Sequence, residues 1–225
     1  MDVYTTEEQQ IEAIKKWWKT NGNSVLIGIA LAIAAVLGWQ TWSQSTQTNR
    51  EAAAVLYGQV VEAAKLAEQH RLSGNAEELQ GQVATLSHLG EQLKTDYVGS
   101  EYAVFGAMML GKEAMLAGNN EAAASQLQWA MANTASEPTR LIANLRLARV
   151  LASMEKYDEA LKALDSVQPG AQADAYEEVR GDIYVAMGDQ GKARDAYKKA
   201  MNLSADRNEG QSRPILKFKY DNLLV

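Results

Sequence analysis

The chain has 225 residues, with 22 basic and 28 acidic side chains, a formal net charge of −6 and no cysteine. An acidic balance argues against a nucleic-acid binder, whose phosphate contacts call for a basic stripe. Without thiols the chain forms no disulfide, so an oxidising compartment makes no redox demand on it.

Residues 1–24 are expected to hold a short amphipathic helix. Thr6 precedes Glu7, Glu8 and Gln9, so its hydroxyl is placed to cap a helix while Gln9 reaches back. Ile11, Ile14 and Trp18 then share one face. Such a helix serves as a plain membrane anchor or as a docking element for a membrane partner.

Residues 25–42 read VLIGIALAIAAVLGWQTW, eighteen residues without a charge. At 1.5 Å of rise per residue a helix of that length spans roughly 27 Å, close to the hydrocarbon thickness of a bilayer. Trp17 and Trp18 precede the run and Trp39 and Trp42 close it, as indoles do when they seek the headgroup layer. Lys15, Lys16 and Lys19 stand before it, and the first basic residue beyond it is Arg50. The expectation is a transmembrane helix anchored in the lipid bilayer by these seven side chains, with the N-terminus cytoplasmic. A buried core helix would not ordinarily carry tryptophans at both ends. A cleaved signal peptide is the other alternative, raised by Ala30-Leu31-Ala32. Against it, the run exceeds the usual ~7–15 residues and follows a segment holding Asp2, Glu7, Glu8 and Glu12.

Residues 43–49, SQSTQTN, are read as a polar linker, after which composition turns to Ala, Leu, Glu, Gln and Lys and extended β alternation is absent. Thr48 and Glu51 suggest a capping box opening a helix that runs to about Leu72. Ser73-Gly74 stops it, Asn75 caps a second helix closed by Lys94, and Ser100 caps the next. Residues 50–98 are thus a helical hairpin.

A repeat becomes visible in residues 99–205. LGKEAMLAGNNEAAASQLQWA from Leu110, LARVLASMEKYDEALKALDSV from Leu147 and RGDIYVAMGDQGKARDAYKKA from Arg180 align. Small residues recur at Gly111, Ala148 and Gly181, turn positions at Gly118, Glu155 and Gly188, small residues again at Ala123, Ala160 and Ala193, and larger ones at Leu127, Leu164 and Tyr197. These positions match the tetratricopeptide pattern, in which small residues let paired helices approach and large ones fill the gap to the next pair. The middle repeat departs from it, with Glu155 where Gly or Ala is usual. The preceding hairpin lacks the signature and reads as a degenerate repeat. The fold class is all-α, a transmembrane helix followed by a tetratricopeptide-like α-solenoid.

Stacked hairpins present the first helix of each pair on a concave face. The alignment projects Met108, Lys112, Met115, Leu145, Arg149, Glu178, Asp182 and Val185 onto it, a surface suited to a peptide or a partner's helix. The methionines and Leu145 read equally as packing between repeats. In residues 206–225 a polar hinge is followed by Pro214, and Ile215, Leu216, Tyr220 and Leu223 are expected to cover the open end of the stack; a partner-binding tail is the alternative.

His70 and His88 lie on the degenerate hairpin with no metal-binding spacing around them, and neither a nucleophile elbow, a phosphate-cradling loop nor a dinucleotide fingerprint is present in the sequence. No catalytic residue, metal site or cofactor is expected.

MDVYTTEEQQIEAIKKWWKTNG, one apolar helix and a repeat domain ending in PILKFKYDNLLV together resemble the YfgM family, the ancillary SecYEG translocon subunits of gammaproteobacteria. The resemblance implies an inner-membrane protein with a cytoplasmic N-terminus and a periplasmic domain. It further implies association with SecYEG and with the membrane-anchored chaperone PpiD, a part in passing emerging proteins to periplasmic chaperones, and a link to the Rcs envelope stress response. Two function classes follow: a noncatalytic adaptor at the translocon, or a scaffold for another envelope machine such as cell-wall synthesis.

Overall fold

The computed structural model describes residues 7–207 and 213–224. Nine α-helices are present among them: α1 (Glu7–Ser73), α2 (Ala76–Asp96), α3 (Glu101–Leu116), α4 (Asn120–Asn133), α5 (Glu137–Ser153), α6 (Tyr157–Asp165), α7 (Ala173–Ala186), α8 (Gln190–Arg207) and α9 (Pro214–Asp221). The chain divides into two units, Met1–Glu51 and Ala52–Val225.

The first unit contains the N-terminal part of α1. Its apolar run is long enough to cross a membrane. The side chains from Leu26 to Leu37 lie in the open, with Leu31 66% and Val36 63% exposed, so no packing among the described residues accounts for their apolarity. Trp17 and Trp18 stack obliquely at 6.4 Å, Trp39 and Trp42 at 5.2 Å. All four are exposed, as are Lys15, Lys16 and Lys19. Ile11, Ile14 and Trp18 are exposed on the preceding turns, whereas the expected Thr6 cap lies outside the described residues.

The helix runs on through residues 20–24, where Thr20 Oγ1 donates to the Lys16 carbonyl at 3.1 Å and Asn21 Nδ2 to that of Trp17 at 3.1 Å. One segment differs from expectation. Residues 43–49 are polar, as read, but helical. No Gly or Pro interrupts them, Thr46 Oγ1 bonds back to the Trp42 carbonyl at 2.9 Å, and Gln47 donates to Glu51 at 2.9 Å. Polarity alone does not end a helix, and the Thr48–Glu51 capping box does not form because no helix starts there.

The second unit is a row of helical hairpins. Residues 52–73 of α1 share an apolar cluster with α2, and then α3 pairs with α4, α5 with α6 and α7 with α8. Each hairpin turns at one left-handed residue: Gly74 (φ 73°), Gly118 (φ 74°), Glu155 (φ 60°) and Gly188 (φ 80°). Caps follow as the sequence suggested at Asn75 and Ser100, whose side chains accept backbone N–H groups at the starts of α2 and α3, and Asn119 does the same for α4. Ala123, Ala160 and Ala193 are fully buried, and Leu127, Leu164 and Tyr197 nearly so. Each buried large side chain contributes roughly 1.5–3 kcal/mol.

Hairpins join through two apolar clusters and one polar knot. Ala53, Val60, Leu86, Leu93 and Leu110 form the first cluster, and Val104, Leu127, Leu141, Val150, Tyr176 and Ile183 belong to the second. At the knot, the buried Tyr176 hydroxyl donates to the Leu141 carbonyl at 2.8 Å and meets Asn144 Oδ1 at 3.2 Å, while Asn144 Nδ2 donates to the Ala163 carbonyl at 3.1 Å. Burial pushes the Tyr176 phenol up to about 12, so it stays a neutral donor tying α5, α6 and α7 together.

Pro214 opens α9, as expected, and Leu216 is buried against Tyr197 and Ala200, with Tyr220 and Leu223 packed beside it. Ile215 departs from expectation. It is 71% exposed, because an eight-residue helix buries only one face and Leu216 takes it. The central residues of the expected hinge lie outside the described residues.

Candidate protein-interaction groove

On α3, Met108, Lys112 and Met115 follow one another at helical spacing and rise on one side of the helix with Gly111 and Leu116. Arg146 and Arg149 of α5 face them, and Leu127 of α4 closes the floor. Together these eight residues line a groove of about 280 Å³. Gly111 lets α3 lie close against α4: a Cβ there would stand 3.4 Å from Leu127 Cγ and from the Ala123 carbonyl oxygen. Met108 is buried at its base, whereas Met115 (42% exposed) and Leu116 stand open at its mouth. Methionine is unbranched and polarizable, so such a lining adapts to different apolar shapes.

The groove is cationic. Lys112 has an exposed pair with Glu68 at 3.6 Å, while its neighbour Glu113, buried, accepts from Arg71 at 2.6 Å. Arg146 and Arg149 have no carboxylate within salt-bridge distance among the described residues. Burial, with the like charge of Arg149, lowers the Arg146 pKa. The only acid on α5 is Glu137, and it pairs with Arg140 at 2.9 Å.

Four of the eight residues projected onto the concave face therefore meet: Met108, Lys112, Met115 and Arg149. The other four do not join them. Leu145 is a buried packing residue of the second core cluster, and Val185 is exposed near the end of α7. Glu178 and Asp182, also projected onto the concave face, are already engaged as acceptors within the chain. Glu178 accepts from Arg213, and from Lys219 Nζ at 2.9 Å; Asp182 accepts from Lys219 at 2.7 Å and from the Tyr197 hydroxyl at 2.8 Å. Arg213 also reaches the buried Asp174 at 3.2 Å. The acidic row of α7 is thus already covered by the chain's own C-terminal helix. Burial opposes the Glu178 charge, but bonds and attraction from Lys219 and Arg213 outweigh it and hold the carboxyl below the ordinary range.

Sequence reasoning missed Arg146, Leu116 and Leu127 as lining residues. A signal for Arg146 existed, since neither it nor Arg149 has an acidic residue three or four positions away on its helix. His70 is half-buried and His88 exposed, and no group of three metal-ligating side chains occurs among the described residues.

The sequence model of the tetratricopeptide repeat-like domain matches residues 15–225. The chain is 28% identical to the ancillary SecYEG translocon subunit of Escherichia coli (strain K12) over 225 residues, covering 100% of each chain. It is also 28% identical to the ancillary SecYEG translocon subunit of Neisseria gonorrhoeae over 224 residues, 99% of this chain and 100% of that one. Among solved structures, the TPR-like repeats of a kinesin light chain from Podosopora anserina superpose with a TM-score of 0.57 at 18% identity, covering 74% of this chain and 85% of that one; this likeness concerns the fold alone.

Proposed function

The chain belongs to the tetratricopeptide repeat-like domain family, and on that premise we propose that it is a membrane-anchored, noncatalytic adaptor at the SecYEG translocon. Its helical-pair domain binds a periplasmic chaperone of the PpiD type and helps to hand over translocated proteins. The α3–α5 groove carries this reading. It presents adaptable apolar side chains beside two arginines that have no acid partner among the described residues, which is the chemistry of protein recognition.

Two further features support it. Relatives matching over the whole length are named ancillary SecYEG translocon subunits. The lysines before the apolar run and the tryptophans at both its ends favour a single crossing of a bacterial inner membrane, with the N-terminus cytoplasmic and the helical domain periplasmic. The family resemblance adds a link to the Rcs envelope stress response.

Purifying the full chain from membranes in mild detergent, with SecY, PpiD and cell-wall enzymes each quantified, tests the reading. Enrichment of SecY and PpiD is the expected outcome. Enrichment of cell-wall enzymes without SecY would replace the translocon adaptor by an envelope scaffold.

A further inference from the structure

We propose that the α3–α5 groove receives an acidic amphipathic helix of a partner protein, one bearing carboxylates a turn before and a turn after a large apolar side chain. The proposal rests on the adaptor reading and names the chemistry of the occupant.

The first observation is an imbalance within an acidic protein. In the unit from Ala52 onward, the other arginines with described side chains all have a bonding partner. Arg71 pairs with Glu68 and Glu113, Arg140 with Glu137, Arg180 with Asp165, Arg213 with Asp174, and Arg194 donates to the Leu223 carbonyl. Arg146 and Arg149 alone have none among the described residues, and they line the same groove. A partly desolvated guanidinium beside a like charge is an unfavourable arrangement in the free protein. An incoming carboxylate relieves it with charge-assisted hydrogen bonds, bidentate where the fork geometry allows.

The second observation is a template within the chain. On α7, the acidic row Asp174, Glu178 and Asp182 is met by Arg213 and Lys219, with Leu216 between them at a spacing of three and buried to 1% exposure. Two cations therefore pair with an acidic helix row while the apolar anchor between them packs on Tyr197 and Ala200 of the adjoining α8. The α3–α5 groove has the opposite polarity: Arg146, Arg149 and the loosely paired Lys112 surround an apolar floor of Met108 and Leu127. Its complement exchanges the cations for acids and keeps the apolar anchor. Opposite polarity at the two places also keeps α9 of one chain from occupying the α3–α5 groove of another, since like charges would meet.

The test uses the full chain in detergent micelles and two fluorescent peptides blocked at both ends. One carries Glu-x-x-Leu-x-x-Glu and the other Lys-x-x-Leu-x-x-Lys. Saturable binding of the acidic peptide, at least tenfold weaker binding of the basic one, and at least tenfold loss in R146Q/R149Q with an unchanged thermal melt are expected. Met115→Ser should weaken the acidic peptide severalfold at every salt concentration. Equal affinity for the two peptides, no saturable binding of the acidic one, or full affinity in R146Q/R149Q would each overturn the proposal. So would a dimer that dissociates in R146Q/R149Q, because the occupant would then be a second copy. If R146Q/R149Q retains SecY and PpiD at the unaltered level, the proposal fails while the adaptor reading stands; their absence from the unaltered chain's purification defeats that reading, and the peptides still decide the groove's preference.

Discussion

The ring of Tyr197 occupies the space where a side chain on Gly181 would begin: a Cβ built on Gly181 would lie 2.3 Å from Tyr197 Cε1. The ring has little room to retreat, because its hydroxyl donates to Asp182 and its face packs on Leu216. Gly181→Leu therefore overpacks the α7–α8 hairpin and should destabilise the second unit by ~2–3 kcal/mol in a denaturant titration, while exposed Lys198→Leu should leave it unchanged. The alignment anticipated a small residue here. Tyr197 is what it actually meets.

Glu155 stands at φ 60° where the equivalent turns use Gly118 and Gly188. An L side chain in the left-handed region is strained, and glycine relieves that strain at some cost in unfolded-state entropy. Glu155→Gly should raise stability by ~0.5–1 kcal/mol, and Gly188→Ala should lower it by ~1 kcal/mol. Equal and opposite shifts in melting temperature for the pair would be a direct readout. A loss in Glu155→Gly would mean that the carboxylate has a role beyond the turn.

The attachment of α9 should depend on pH. The Glu178 carboxyl is held below its ordinary range in the folded chain, so its contribution is complete above the unfolded value of about 4.3 and is lost as pH falls through the folded one. Burial works against the Lys219 ammonium, but bonds to Asp182 and Glu178 prevail and raise its pKa. Its contribution is complete below the unfolded value of about 10.4 and is lost as pH rises through the folded one. Protection factors for the α9 amides, taken against intrinsic exchange at each pH, should be highest between these limits and fall outside them. In Glu178→Gln the acid-side change should shrink; if it does not, other carboxylates hold the helix.

The lysine and tryptophan flanks lead to a topology test. Protease added to spheroplasts should remove residues 52–225 and leave a small membrane fragment containing Trp17 to Trp42. Protection of the helical domain in intact spheroplasts would reverse the orientation. A mature chain starting after Ala32 or Ala34 would establish cleavage.

The repeat was legible because close approach between helices tolerates few side chains. Gly111, Ala148 and Gly181 mark where backbones meet, and Leu127, Leu164 and Tyr197 fill what remains. The first hairpin seemed degenerate because its small residues sit elsewhere. A Cβ on Gly90 of α2 would lie 2.9 Å from Leu110 of α3, and one on Gly106 of α3 would lie 3.1 Å from Leu93 of α2, so this close approach falls between the first hairpin and the second. The groove was half legible. Helical spacing brings Met108, Lys112 and Met115 together, and the repeat alignment adds Arg149. It could not show that Glu178 and Asp182 are covered, since Arg213 and Lys219 come from a segment outside the repeat. Nor does composition separate a polar linker from a polar helix, which is why residues 43–49 were misread.

The adaptor reading requires that the domain engage its partner through the α3–α5 groove. Photocrosslinking in intact membranes tests it most directly, with a photoreactive residue placed in the full chain at Met115, at Arg149, or at exposed Glu159 of α6 as a control. Adducts to a PpiD-type chaperone from Met115 and Arg149, and none from Glu159, are the predicted result. Adducts from Glu159 with none from the two groove positions would contradict the account and move recognition to the convex side of the repeats.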